Sequence, residues 1–272
     1  MREKRNTGSS ELVSHLDGGI LTLTLNRPEA RNALTDEMAE TLARELAFAE
    51  SSADVRCIVL EGAGKAFCAG GDVKRMGAGT LDEDALNARI RWQSRVQRET
   101  VGRLHTMPKP TLAVISGPAA GAGLSLALSC DLRLMAESAI LLTAFASVGL
   151  SGDFGAAYFL TRLAGTARAR ELMFLSDRVS AAQALEFGLA NWLCPPESLA
   201  ERASAIAARL AGGPALALGF MKGNLNRAVT FPMNECMDIE ADHHIHCTAT
   251  ADHREGVAAF VEKRAARFGA RS

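Results

Sequence analysis

The chain reads as an α/β body over residues 1–195 that carries a helical region over residues 196–272. Three observations predict this. Short apolar runs of strand type alternate with helix-length segments through the first part of the chain. Two small-residue loops, each between a strand and a helix, recur within it. Beyond Pro195 and Pro196 the pattern is helical to the end.

The elements follow in order. Ile20–Leu25 is a strand, with Leu21, Leu23 and Leu25 alternating with threonines, and Asn26, Arg27 and Pro28 break it. Thr35 suits the N-cap of a helix running to about Glu50, with Asp36 and Glu37 in its first turn. A buried-type strand covers 57–60, and a glycine-rich loop over 62–71 leads to a helix beginning near Asp72. A long amphipathic helix spans 83–104 and stops before Pro108 and Pro110. Thr111–Ile115 is a strand, 117–123 a second small-residue loop, and an apolar helix starts at Leu124. Residues 132–135 and 140–143 are further strands, after which strand signals fade. Residues 180–188 form a short helix with a capping box of Ser180 and Gln183, and Asp252 and Glu255 suit the cap of the last helix. The recurrence of strand, loop and helix suits a stacked spiral or a doubly wound sheet, and periodicity leaves both open.

Composition narrows the function classes. The 272 residues are 48% hydrophobic and 22% charged, an ordinary globular balance. A net charge of −1 provides no broad field for nucleic acid or an anionic membrane. The six cysteines form no C-x-x-C pair and no metal-ligand spacing, which suits reduced structural thiols. The polar start, residues 1–10, is unlike a secretory signal, and no apolar run reaches the roughly 18 residues of a membrane span. A cytoplasmic protein is expected.

The loops carry the chemical signal. Ala66-Phe67-Cys68-Ala69-Gly70-Gly71-Asp72 and Gly117-Pro118-Ala119-Ala120-Gly121-Ala122-Gly123 both join strand to helix. Small residues let backbone approach a ligand, and N–H groups at a helix start point outward unpaired. Two such loops converging would aim two N–H donors at one oxygen, an oxyanion hole suited to a carbonyl that becomes an enolate. Each loop alone also fits a turn that merely permits close packing. No Gly-Lys-Ser/Thr follows either loop, and neither reads G-x-G-x-x-G, so P-loop and dinucleotide readings fail.

These residues resemble the crotonase superfamily (enoyl-CoA hydratase/isomerase family). The resemblance runs collinearly through Asn26-Arg27-Pro28, Arg31-Asn32-Ala33-Leu34, the two loops, Cys130-Asp131 and Val148-Gly149-Leu150. It continues through Ala181-Ala182-Gln183-Ala184, Gly188-Leu189, Arg254-Glu255-Gly256 and Phe260-Val261-Glu262-Lys263-Arg264. It implies a ClpP/crotonase-like spiral of ββα turns with a C-terminal helical trimerisation region, and trimers that often pair into hexamers. It implies an acyl-CoA thioester substrate, no permanently bound cofactor, no metal, and coenzyme A present as part of the substrate. The Gly71 and Ala122 amides would hold the thioester oxygen, alanine standing where glycine is usual. Backbone near Arg31, Ala33 and Ala69 would hold the adenine end, and Asp72 and Val73 the pantetheine. Phe260 and Lys263 would help bind the nucleotide across a subunit boundary, although Lys263 equally suits a solvated helix charge.

The reaction turns on carboxylates. The two glutamates of hydratase-type members fall on Ser125 and Phe145, neither of which can act as a base. Asp153, in Gly149-Leu150-Ser151-Gly152-Asp153-Phe154-Gly155, matches the aspartate of single-aspartate isomerase-like members, including ring-epoxide isomerases. An apolar setting would raise its pKa toward neutrality, fit for a proton shuttle in enoyl-CoA double-bond isomerisation. The competing reading of Asp153 is a helix N-cap. A dehalogenase reading is weaker, because its aromatic partner would be Phe145 and its histidine base falls on Arg98. The rival functions are an enoyl-CoA hydratase, a non-catalytic acyl-CoA-binding subunit, and an RNA-binding use of the fold, against which the charge argues. His243, His244 and His246 lack a complete ligand set and suit packing or surface roles. His105 suits a helix end, Trp92 and Phe48 helix-face packing, and Arg89, Arg91, Arg95 and Arg98 a solvated face.

Overall fold

The computed structural model describes residues 3–72 and 82–269. The helix expected near Asp72, and Val73 with it, lie outside the described residues. The chain begins with strands β1 (Glu3–Arg5), β2 (Leu12–Asp17) and β3 (Ile20–Leu25), which form an antiparallel meander. Leu21, Leu23 and Leu25 are fully buried while the threonines between them are half-buried, as the period-two pattern requires. β2 was not among the expected strands; its Leu12 and Ser14 face the core, and the serine and His15 in its middle interrupt the apolar pattern.

From β3 onward the main sheet is parallel, and parallel pairing demands crossovers. Helix α1 (Asp36–Ser51) links β3 to β4 (Cys57–Gly62). Thr35 caps α1, accepting the Met38 N–H at 3.0 Å. Helix α2 (Glu83–Gln97) passes into a π-helical stretch, Arg98–Gly102, and then α3 (Arg103–Thr106), so the long helix expected over 83–104 is continuous but changes its winding. Arg89 and Arg95 pair with Asp36 and Glu40 of α1, and the Trp92 indole donates to Glu40 at 2.7 Å. The arginine face is thus docked on α1 as well as solvated.

β5 (Thr111–Ile115) follows, then β6 (Ala119–Ala120), α4 (Ala122–Ser129), β7 (Leu132–Ala136) and β8 (Ile140–Leu142). Helix α5 (Ala156–Leu175) is kinked at Gly165, where φ is +77°. β9 (Val179–Ser180), α6 (Ala181–Glu186) and β10 (Trp192–Cys194) complete the body. The capping box of Ser180 and Gln183 is present at α6. The main sheet runs β1-β2-β3-β4-β5-β7-β10, and β6-β8-β9 forms a second, smaller sheet. Each circuit of the chain adds one strand to the large sheet, a spiral rather than a doubly wound arrangement. Strand structure does not end at 143: β10 pairs parallel with β7 although its three residues carry no alternation.

Helices α7 (Leu199–Ala211), α8 (Ala215–Ala228), α9 (Met233–Thr248) and α10 (Ala251–Glu262) follow. The apolar face of α7, with Leu199, Ala203, Ala207 and Ala211, joins the central core. The cap of α10 is Thr250, which accepts the His253 N–H, rather than Asp252 or Glu255. Asp252 sits in the first turn and Glu255 instead pairs with Arg264, because a threonine hydroxyl one position before the helix reaches the free amides. His243 stacks on Phe220 at 4.0 Å and its Nδ1 bonds Asn224, a packing role. Among the described residues no single helix is long and apolar enough to cross a membrane, and the apolar pair ending in α7 and α8 bends by 100°.

Candidate active site

Three backbone segments are laced together at the site. The first holds Arg31 and Asn32, both in the left-handed region with φ of +52° and +57°. Asparagine tolerates this conformation better than most residues. The Asn32 side chain is fully buried; its Nδ2 donates toward the Ala63, Ala66 and Phe67 carbonyls at 2.9, 2.8 and 3.2 Å, and its Oδ1 accepts the Arg27 N–H. One side chain therefore shapes the whole bend of the first loop. Asn32 carried no assigned role in the sequence reading. Its position between a broken strand and a glycine loop was the available signal.

The first loop runs between its neighbours like a short strand. Ala69 N–H donates to Arg31 O, Leu34 N–H to Gly70 O, and Asp72 N–H to Leu34 O. This pairing of Leu34 with Gly71 uses the groups on either side of Gly71, so the Gly71 N–H points away from Leu34. On the other side Phe67 and Cys68 donate to Pro118 O, and Ala120 donates to Cys68 O at 2.9 Å. The second loop thus lies directly beside the first.

Contact is close enough to require glycine. A Cβ on Gly123 would lie 2.4 Å from the Cys68 carbonyl oxygen. Gly70 (φ +97°) and Gly121 (φ +51°) face each other, a Cβ on either coming within 3.7 Å of the other's Cα. Gly71 and Ala122 each follow by one residue. Ala122 is the first residue of α4, so its N–H has no intrahelical acceptor. It is 1% exposed and belongs to the core cluster, so its methyl packs inward.

Asp153 sits over the first turn of α4. Its backbone carbonyl lies 3.1 Å from the hydroxyl of Ser125, which is three residues beyond Ala122. Oδ1 of Asp153 is buried and has no hydrogen-bond partner among the described residues. Burial pushes the carboxyl up to about 6. Asp153 does not cap α5: the cap position is Gly155, and the acid lends that helix only its backbone carbonyl, to the Ala156 N–H. Phe145 is 4% exposed, its ring edge 3.6 Å from where a Cβ on Gly121 would stand.

Of the other expected residues, Arg31, Ala33, Ala69 and Asp72 lie on the laced segments beside Gly71. The Asp72 carboxylate pairs with Arg27 at 3.0 Å, and the same Arg27 nitrogen donates to Ala33 O. Phe260 and Lys263 lie at the end of α10, away from the loops, where Phe260 is 86% exposed. The six cysteines are free; burial pushes Cys57, Cys68 and Cys130 up to about 12, the reverse of an activated thiol.

Cavity volume points elsewhere. Spaces of about 510 and 460 Å³ lie between the outer sheet face and α7, and between α5 and α8. Neither is lined by Gly71, Ala122 or Asp153. Two interlaced small-residue loops with a partly buried acid over the helix that follows the second are a stronger chemical signal than volume.

The sequence pattern described as Enoyl-CoA hydratase/isomerase matches residues 15–271. The chain belongs to that family. It is 39% identical over 258 residues to 1,2-epoxyphenylacetyl-CoA isomerase of Escherichia coli (strain K12), covering 94% of this chain and 97% of that one. It is 32% identical to crotonyl-CoA hydratase of Syntrophomonas wolfei over 92% of this chain and 94% of that one. The crystal structure of an enoyl-CoA hydratase from Polaromonas sp. JS666 superimposes with a TM-score of 0.87 at 32% identity, covering 95% and 99%. The spiral of ββα turns with C-terminal helices is thus the crotonase fold, and the chain is an enzyme of acyl-CoA thioester chemistry. Isomerases and hydratases both stand among its relatives.

Proposed function

We propose that this family member is an acyl-CoA isomerase that moves a proton with Asp153 while the Gly71 and Ala122 N–H groups hold the thioester oxygen. The observation that carries the reading is Asp153: its carboxyl is raised to about 6 by burial, its buried Oδ1 has no partner among the described residues, and its backbone carbonyl lies 3.1 Å from the hydroxyl of Ser125, three residues along α4 from Ala122. At pH 7 such a group is roughly nine-tenths ionised and a stronger base than an exposed carboxylate. It takes a proton from the carbon beside the thioester, and negative charge moves to the carbonyl oxygen. The two N–H donors stabilise that charge, and the protonated Asp153 returns the proton further along the chain, with no net water.

Hydration needs a water held by carboxylates on the loop-facing side. Ser125 and Phe145 stand at the positions expected for the glutamates, and the buried Phe145 ring is apolar. The backbone around Arg31, Ala33, Ala69 and Asp72 is assigned to coenzyme A, as is Val73. Phe260 and Lys263 are assigned to the nucleotide end across a subunit boundary, in a trimer or hexamer built through residues 196–272. The 86% exposure of Phe260 supports a partner there.

The test is turnover of 3-enoyl-CoA and 2-enoyl-CoA thioesters by wild type and Asp153→Asn, with a ring-epoxide thioester added because of the E. coli relative. Double-bond migration that falls about a hundredfold or more in the variant supports the isomerase. Equal hydration of 2-enoyl-CoA by both proteins transfers the assignment to a hydratase.

A further inference from the structure

The loop that carries Asp153 is packed through Phe154, 4% exposed in the core cluster, but few hydrogen bonds hold it. Gly149, Gly152 and Gly155 have φ of +71°, +115° and +76°, and Phe154, a non-glycine, sits at +46°. Such a backbone has many alternatives open to it. Its hydrogen bonds stay local: Gly149 and Leu150 donate to Ala146 and Phe145, Ala156 to Asp153, and Phe159 to Gly155. Among the described residues, one hydrogen bond ties it to another element, from Ser125 Oγ to Asp153 O at 3.1 Å. Ser125 is fully buried on α4. Its hydroxyl also lies 3.2 Å from Gly121 O within α4; each of the two carbonyls accepts one backbone N–H besides, and the contact to Asp153 O is the one that crosses between elements.

We propose that Ser125 is the positioning residue for Asp153, its hydroxyl clamping the backbone of the acid's loop to the helix turn that starts at Ala122. The role in turnover rests on the isomerase reading above; the clamp itself does not. Helix α4 then carries both the Ala122 N–H and the anchor of the acid, so the proton shuttle and the oxygen-binding amide keep a fixed separation. A serine at this position replaces a missing carboxylate by fixing the one that remains. The clamp acts on the backbone carbonyl and leaves the carboxyl free to titrate. Burial alone raises Asp153, and the titratable neighbour that senses its charge is Cys68, whose own thiol is pushed up to about 12. When the clamp is cut, the loop hydrates and the carboxyl returns toward the ordinary range.

The experiment compares Ser125→Ala, Ser125→Thr and Asp153→Asn with wild type on 3-enoyl-CoA, separating kcat from KM across pH. Alongside it, the Asp153 carboxyl is titrated by ¹³C NMR in the substrate-free Ser125 variants. Ser125→Ala is expected to lower kcat by about ten- to a hundredfold, as for a misplaced catalytic group, with KM changed by about twofold or less. Its acid limb and its Asp153 titration both move down from about 6. Ser125→Thr, which keeps the hydroxyl, recovers most of kcat and the wild-type limb. If Ser125→Ala leaves the Asp153 titration where wild type has it, whether or not turnover falls, Ser125 is a packing residue and the proposal is overturned. If Asp153→Asn turns over like wild type, the isomerase reading fails instead, and the carboxyl titration alone decides the clamp.

Discussion

Lys222 on α8 places its ammonium 2.9 Å from Asp131 Oδ2, the same oxygen that accepts the Thr111 N–H and hydroxyl at 2.8 and 2.9 Å. The ammonium also donates to the carbonyls of Leu104 and Lys109. The lysine is 7% exposed, so its removal strands a partly buried carboxylate and two carbonyls. Lys222→Met is expected to cost about 3 kcal/mol of unfolding free energy. Urea denaturation measures this, and a loss below about 1 kcal/mol would mean that water replaces the ammonium without penalty.

Asp153 is held at a stability cost. Its folded pKa of about 6 lies above the ordinary 3.8, so the folded state binds the proton more tightly. Its contribution is therefore fully favourable only below the ordinary pKa and is lost as pH rises through about 6. Asp153→Asn should raise stability at pH 8 by about 2–3 kcal/mol relative to its effect near pH 4. Parallel urea curves at the two pH values test the sign; a variant less stable at pH 8 than at pH 4 relative to wild type would refute it.

The same shift sets the activity profile. The wild-type kcat/KM for isomerisation should fall on the acid side with an apparent pKa near 6, since only the ionised Asp153 takes a proton. A limb at the ordinary carboxylate value would show that the acid is hydrated in the working enzyme.

Ala122 offers a clean removal of one N–H. It is the first residue of α4, where proline is accepted because that N–H has no helical partner. Ala122→Pro should preserve the helical circular dichroism while lowering kcat by about 10²–10³. Retained turnover would remove this amide from the mechanism.

Asn32→Ala removes the donors shared by Ala63, Ala66 and Phe67 and leaves their carbonyls facing a buried gap. A loss of about 2–4 kcal/mol and a rise in KM are expected, because the first loop then loses its shape. Denaturation and steady-state kinetics measured together would separate this from a purely structural effect: unchanged KM would detach Asn32 from the substrate site.

The local devices were legible in the amino-acid order. Thr35 before Asp36 and Glu37, the Ser180–Gln183 box, the alternation of Leu21, Leu23 and Leu25, and the two small-residue loops all act within a few residues of chain. The absence of carboxylates at Ser125 and Phe145 was equally legible, as was Asp153 as the acid in a glycine-rich setting. What depends on partners distant in sequence was not. β10 is a strand because β7 lies beside it, and β2 because β3 folds back on it. Thr250 rather than Asp252 caps α10 because the helix starts at Ala251, and the chain alone leaves that boundary open. Whether Asp153 was a cap or an isolated acid could not be read from its neighbours. Desolvation and the 3.1 Å reach from Ser125 are properties of how α4 and the loop before α5 meet in space. Residue order therefore determined the chemistry available, and tertiary packing decided which carboxyl loses solvent and which hydroxyl reaches the backbone beside it.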